Sequence, residues 1–377
     1  MKRNIRSFLL FLFAALCLVS GCGAQGGQPQ ARAQTDASIP PEERVERILS
    51  AMTPAEKVGQ MLMIGVHGTA LNADSRFMLS EYAAGGVILF DRNLETADGV
   101  RRLTKELQDA RNGELPLFIA IDEEGGPVVR MEDIVPPPPA QSEIGASGDP
   151  AQARKRAQEI SKELRALGFN LNFAPVADVG ESERCYSADA ETVASFVQEA
   201  VRGYAEEGML CSLKHFPGLG KGKSDTHLET VVVDADRETL EAEDLVPFRA
   251  VMEKGEAENF FVMVSHITYT ALDGENPASL SPAVMTSLLR DEIGWRGVVV
   301  TDDLEMGAAD VCPFDEMGVR AVEAGADLLL VCHDYGHQQD VYNGLLKAVQ
   351  SGRIPEKRID ASVRRILRSK LTLGERQ

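Results

Sequence analysis

The 377-residue chain carries 39 Lys and Arg against 58 Asp and Glu, a formal net charge of −19, which excludes the extended cationic surface of a nucleic-acid-binding protein. Hydrophobic residues at 44% and charged residues at 26% match a folded globular protein, so disorder throughout is excluded as well. With 6% aromatic residues and Trp295 as the sole Trp, a broad stacking platform for a polymer is disfavoured and a small pocket is expected.

At the N-terminus, Lys2, Arg3 and Arg6 precede an apolar run over residues 8–19, the charge-then-apolar order of a secretory signal peptide. The run is shorter than the roughly 20 residues a membrane-spanning helix needs. It ends in Val19, Ser20, Gly21 and Cys22, which resembles the bacterial lipobox, with an ordinary cleaved signal peptide as the alternative. The resemblance implies a signal peptide over 1–21, a diacylglyceryl group on Cys22, and a Gly-, Gln- and Ala-rich tether over 22–38. The protein is then expected in a bacterial cell envelope, lipid-anchored to a membrane outside the cytoplasm. Loss of residues 1–21 removes three of the 39 basic side chains and none of the 58 acidic ones, taking the charge from −19 to −22. So acidic a body is repelled by anionic lipid, and the acyl chains must do the anchoring. Cys185, Cys211, Cys312 and Cys332 are too scattered for a disulfide scaffold, and no ligand spacing suggests a metal or other cofactor.

From residue 39 onward short apolar runs alternate with amphipathic stretches. The runs are 61–66, 86–90, 117–122, 171–176, 209–215, 261–266, 297–302 and 326–332, nearly continuous in Val, Ile, Leu and Phe as strands buried on both faces require. Among the stretches, Val193, Phe196, Val197, Ala200, Val201 and Tyr204 follow a helical period, and Thr53, Pro54 and Glu56 carry capping-box chemistry. A first helix is expected over about 41–62. Gly168, Gly208, Gly294 and Gly325 stand just before strands, where helices end. Eight strand-helix units predict an α/β fold, a single (β/α)8 TIM-type barrel over 39–377, rather than an open doubly wound sheet.

In such a barrel the ionisable residues at the C-terminal ends of strands converge on one mouth. These are Asp122, Asp178, Arg184, Lys214, His215, His266, Asp302 and Asp303. Singly each has a bland role as a helix cap, a snorkelling cation or, for His266, a satisfied core histidine; together they point to a site. The segment over 214–227 is densest: Gly218, Gly220 and Gly222 make it a flexible loop, followed by Asp225 and His227 two residues apart. An Asp that accepts one imidazole N–H fixes the tautomer and prepares the His to give and take a proton, although the same spacing also suits a simple cap.

The stretches AMTPAEKVGQMLMIG (51–65), GGVILFDRN (85–93), IDEEGGPVVR (121–130), NFAPVADV (172–179), KHFPG (214–218), PASLSP (277–282) and VTDDLEMGA (300–308) resemble, in order, the signatures of glycoside hydrolase family 3. They are most similar to its single-barrel β-N-acetylhexosaminidases. The resemblance implies Asp302 as nucleophile and Asp225 with His227 as an acid/base dyad. It also implies that Asp122, Arg184, Lys214 and His215, with Arg130 as a second-line residue, hold the sugar's hydroxyl and acetamido groups. Pro127, Cys185, Leu219 and residues 221–224 depart from the commoner pattern, and the loop among them faces the leaving group.

The implied activity is a cofactor- and metal-independent, retaining exo-β-N-acetylglucosaminidase, a glycoside hydrolase that takes terminal GlcNAc from muropeptides or chitooligosaccharides by way of a covalent glycosyl-enzyme. No nucleic-acid partner is expected; the membrane is met through the lipid anchor. Two alternatives stand beside it: a phosphorylase passing the glycosyl group to phosphate, and a surface lipoprotein that binds sugar without turnover.

Overall fold

The computed structural model describes residues 39–111, 115–219, 231–254, 258–309 and 311–376. Its strands are β1 (Leu62–Gly65), β2 (Gly86–Ile88), β3 (Phe118–Ile121), β4 (Leu171–Asn172), β5 (Leu210–Phe216), β6 (Val232–Val233), β7 (Phe260–Val264), β8 (Thr268–Tyr269), β9 (Val299–Asp303) and β10 (Leu328–Val331). Eight of them close a parallel barrel in the order β1-β10-β9-β7-β5-β4-β3-β2, and β6 pairs with β8 in a small parallel sheet of its own. Each of the eight apolar runs matches one barrel strand, with β5, β7 and β9 each reaching one residue outside its run, so the expected α/β barrel is the fold.

The reason is visible in the burial. β1, β3, β7 and β10 are buried at every position, because helices cover their outer face while side chains fill the interior. Phe118 of β3 and Phe261 of β7 meet edge to face across 5.4 Å. On helix Ala190–Glu206 the six residues with the expected period are all buried, and Asp189 caps its start by accepting the Thr192 N–H at 2.8 Å.

The helix expected over 41–62 is two helices, Pro41–Ala51 and Pro54–Gln60. Thr53 divides them: its hydroxyl accepts the Glu56 N–H, and the Glu56 carboxylate accepts the Thr53 N–H. Local capping overrides the apolar period that runs through both pieces. All four predicted helix-ending glycines have positive φ. At Gly168 (φ 91°) a Cβ would also lie 2.3 Å from the Thr104 hydroxyl, so no other residue fits there without movement.

At the N-terminal end of the barrel, the closing helix Glu356–Arg376 sends Lys370 inward. Its Nζ donates to Gln60 Oε1 and to the Gly85 carbonyl, both at 2.8 Å, and lies 4.9 Å from the Phe118 ring centroid. The Lys370 amine thus ties together the chain entering β1, β2 and β3.

Candidate active site

At the opposite end, Asp122, Glu123 and Glu124 leave β3 in a segment pinned by a side chain of the next strand. Asn172 accepts the Glu123 N–H at 3.0 Å and donates to the Glu123 carbonyl at 2.9 Å. The turn that follows needs its glycines, since a Cβ on Gly125 (φ 104°) would come within 2.3 Å of the Pro139 carbonyl. The proline segment 136–139 is therefore packed against this end of the barrel.

Lys214 and His215 are neighbours on β5, yet both face the mouth, where the ladder to β7 shifts register between Leu213 and Phe216. Lys214 Nζ donates to Asp122 Oδ1 at 2.7 Å and to Glu124 Oε1 at 2.6 Å. Arg184 grips the same Glu124 with two bonds of 2.8 Å, and its Nη2 lies 3.3 Å from His215 Nε2. Burial works to raise the Glu124 pKa, but Lys214 and Arg184 outweigh it and hold the carboxyl at about 2. Burial likewise works against the Lys214 charge, and Asp122 and Glu124 override it, raising its pKa.

Asp178 carries the other half of His215. Its carboxylate accepts the His215 backbone N–H at 3.0 Å, the ring Nδ1 hydrogen at 2.8 Å and the Leu219 N–H at 2.7 Å. One buried carboxylate thus orients the imidazole and fixes the backbone at Leu219. Burial would raise its pKa; the His215 ring and these N–H donors bring it below the ordinary carboxylate value.

Asp302, on β9, lines a cavity of about 290 Å³ together with Asp122, Arg130, Phe90, Met263 and His333. Burial by itself disfavours its charge, yet the imidazoles of His215 and His266, the Asp303 N–H at 2.8 Å and Lys214 outweigh that and lower its pKa. A carboxylate so placed is ionised at neutral pH and able to attack an electrophilic carbon. Arg130 stands at the edge, 3.9 Å from Asp122 and 3.8 Å from Asp91, with its guanidinium 5.6 Å from the Phe90 ring centroid.

Of the residues predicted from sequence, Asp122, Arg130 and Asp302 line the cavity, and Arg184, Lys214 and His215 join it through Glu124 and Asp122. Asp225, His227 and the lipidation site Cys22 lie outside the described residues. His266 is a satisfied core histidine, with Nδ1 2.6 Å from the Ser279 hydroxyl and Nε2 2.8 Å from the Asp303 carbonyl. The four cysteines beyond residue 38 are free thiols. Sequence reasoning missed Glu124, Phe90 and His333. Glu124 and Phe90 sit inside stretches already singled out, and His333 directly follows the eighth apolar run, so the strand-end rule extended by a residue or two finds all three.

Comparison with known proteins places this geometry. The glycosyl hydrolase family 3 N-terminal domain matches residues 53–369. A beta-hexosaminidase of Stenotrophomonas maltophilia is 39% identical over 285 residues, covering 72% of this chain and 83% of its own length. The solved family 3 β-N-acetylglucosaminidase of Paenibacillus sp. superposes with a TM-score of 0.82 at 42% identity, over 86% of this chain and 64% of that one. The β-N-acetylhexosaminidase of Beutenbergia cavernae gives 0.78 at 30% identity, over 85% and 98%. With a closed barrel, a carboxylate-lined mouth and a family match over most of its length, the chain belongs to glycosyl hydrolase family 3.

Proposed function

We propose that this glycoside hydrolase is a retaining exo-β-N-acetylglucosaminidase acting on GlcNAc-terminated peptidoglycan fragments, anchored to the envelope through an acylated Cys22. The observation that carries the reading is Asp302, a carboxylate kept ionised in a cavity of about 290 Å³, room for one sugar unit rather than a length of polymer. Its attack on the anomeric carbon gives a covalent glycosyl-enzyme, which water resolves with retention. Asp122, Arg130, Arg184, Lys214 and His215 hold the sugar; their charged, mutually paired groups reject a sugar that lacks the matching hydroxyl or acetamido, because the mismatch leaves one of them unpartnered. His227, oriented by Asp225, gives a proton to the leaving oxygen and then takes one from water. The names of the matched relatives support GlcNAc as the sugar removed.

The test is direct. A slow fluorinated N-acetylglucosaminyl donor should add one glycosyl mass to the protein, and peptide mapping should put it on Asp302. Cleavage of p-nitrophenyl β-N-acetylglucosaminide should far exceed that of the β-glucoside, be insensitive to EDTA, and give free GlcNAc rather than the sugar 1-phosphate when phosphate is added. Preference for the glucoside, or a label elsewhere, sinks the reading. Membrane-fraction protein should begin at a lipidated Cys22; a chain starting at Met1 would rule the anchor out.

A further inference from the structure

Asp303 is bound more tightly than the end of a strand requires. Its N–H donates to Asp302 Oδ1 at 2.8 Å, and its carbonyl accepts from His266 Nε2 at 2.8 Å. Its Oδ1 accepts the N–H groups of Glu305 and Cys332, each at 3.2 Å. Its Oδ2 lies 3.0 Å from His333 Nε2, pairing a side chain that is 11% exposed with a ring that is 52% exposed. That ring lines the same cavity as Asp302, where a bound sugar would cover it.

The groups around His333 come from several elements. Asp303 and Glu305 reach it from the end of β9, Glu305 accepting its backbone N–H. Arg92, after β2, brings Nη1 within 3.3 Å of Nδ1; Phe90 stands 5.4 Å away ring to ring; and His67, after β1, bonds the His333 carbonyl at 2.7 Å. Asp334 is next in the chain. The bond to Asp303 favours the charged ring, burial and Arg92 oppose it, and the balance is upward. Around Asp302 itself stand His215 and Lys214 from β5 and His266 from beyond β7, with Asp122 from β3 sharing the cavity.

Adjacent carboxylates disfavour each other's ionisation unless one is compensated. We propose that His333 is a positioning residue for Asp302: paired with Asp303, it offsets the negative charge beside Asp302 and locks the peptide whose N–H holds the Asp302 carboxylate. The inference rests on Asp302 being the nucleophile. A sugar in the cavity displaces water from the pair and strengthens it at the moment Asp302 must act.

The experiment measures kcat/KM of the full chain against pH with a 2,4-dinitrophenyl β-N-acetylglucosaminide, whose leaving group needs no proton, so that the Asp225–His227 dyad does not limit the step. His333→Asn should move the acid limb upward by roughly half to one pH unit, a loss of about three- to tenfold at acid pH that fades toward neutrality. KM should change little. Adding Asp303→Asn should return the limb toward its original position, since the uncompensated charge is then gone. Should the Asn variant melt early, His333→Gln carries the same comparison. An acid limb that does not move, or an equal loss at every pH with raised KM, overturns the proposal and makes His333 a sugar contact or a wall. Labelling of Asp302→Ala by the fluorinated donor separates this from the parent reading: an adduct formed without Asp302 defeats the nucleophile assignment, whereas an unmoved limb with the adduct on Asp302 defeats only the role of His333.

Discussion

Arg184 and Glu124 face each other through two parallel bonds of 2.8 Å, and Lys214 adds a third to the same carboxylate at 2.6 Å. The three residues come from the ends of β5 and β3 and from the loop after β4, so this knot holds three sectors of the barrel mouth in one geometry. Glu124→Gln leaves the buried Lys214 and the partly buried Arg184 short of a counter-charge, and removing one partner of such a cluster typically costs about 3–5 kcal/mol. Urea unfolding at neutral pH should show that loss, with a raised KM in whatever protein remains folded. Because the Glu124 pKa is depressed to about 2, its stabilisation is complete above the ordinary carboxylate range and fades as pH falls toward 2. A variant as stable as the parent at pH 7 would contradict this.

Glu123 is expected to titrate the other way. It is 1% exposed, Oε2 accepts the Arg130 N–H at 2.8 Å, and Oε1 has no hydrogen-bond partner. Burial pushes its pKa up to about 7, against weaker opposition from the Arg130 and Met131 N–H groups. The folded protein holds that proton where the unfolded chain has lost it, so this contribution to stability falls as pH rises from the ordinary Glu range to about 7. Glu123→Gln keeps an acceptor for Arg130 and cannot ionise; it should lose that pH dependence and gain up to about 3 kcal/mol relative to the parent above neutrality. Parallel urea titrations at acid and alkaline pH decide it, and equal slopes for the two proteins would be the contrary result.

Lys370 gives a third pH signature. Burial among neutral acceptors, with Arg111 also opposing the charge, lowers its pKa to about 7. Between there and its unfolded value near 10.4 the unfolded chain binds the extra proton, so stability rises with pH across that window. Lys370→Met removes the titration, takes the donor from Gln60 Oε1 and leaves the Gly85 carbonyl with the Phe118 N–H at 3.2 Å. The stability difference, parent minus variant, should therefore grow by about 3 kcal/mol from neutrality to about pH 10. A difference that stays flat would mean the ammonium is retained in the fold.

A fourth expectation concerns the dyad. Asp302→Ala should abolish turnover with every leaving group, whereas His227→Ala should cripple cleavage of a natural disaccharide by about 10²- to 10⁴-fold, the usual worth of general acid assistance. With a dinitrophenyl glycoside the same variant should still form the glycosyl-enzyme, show a burst, and stall until azide rescues it. Asp225→Asn should fall between. Equal slowing of glycosylation for activated and natural leaving groups would make His227 a binding residue.

The barrel was legible in the sequence because period and polarity are local: eight short runs nearly continuous in apolar residues have to be strands covered on both sides. It also put the charged residues at strand ends, and the barrel brought Asp122, Lys214, His215, Arg184 and Asp302 within one neighbourhood from positions up to 180 residues apart. The division of the first helix at Thr53 was legible too, in a capping box that a longer apolar period obscured. What the sequence left open was pairing. Nothing in IDEEGG says which carboxylate meets Lys214 and Arg184 and which is buried with one oxygen unpartnered; the fold gives Glu124 the cations and Glu123 the backbone. Nor does the spacing of 303 and 333 announce an ion pair. The first contacts exist only once β3, β4 and β5 pair, and the last only once β9 and β10 lie side by side; the protonation states follow from them, since burial and neighbouring charge are properties of the closed barrel rather than of any segment.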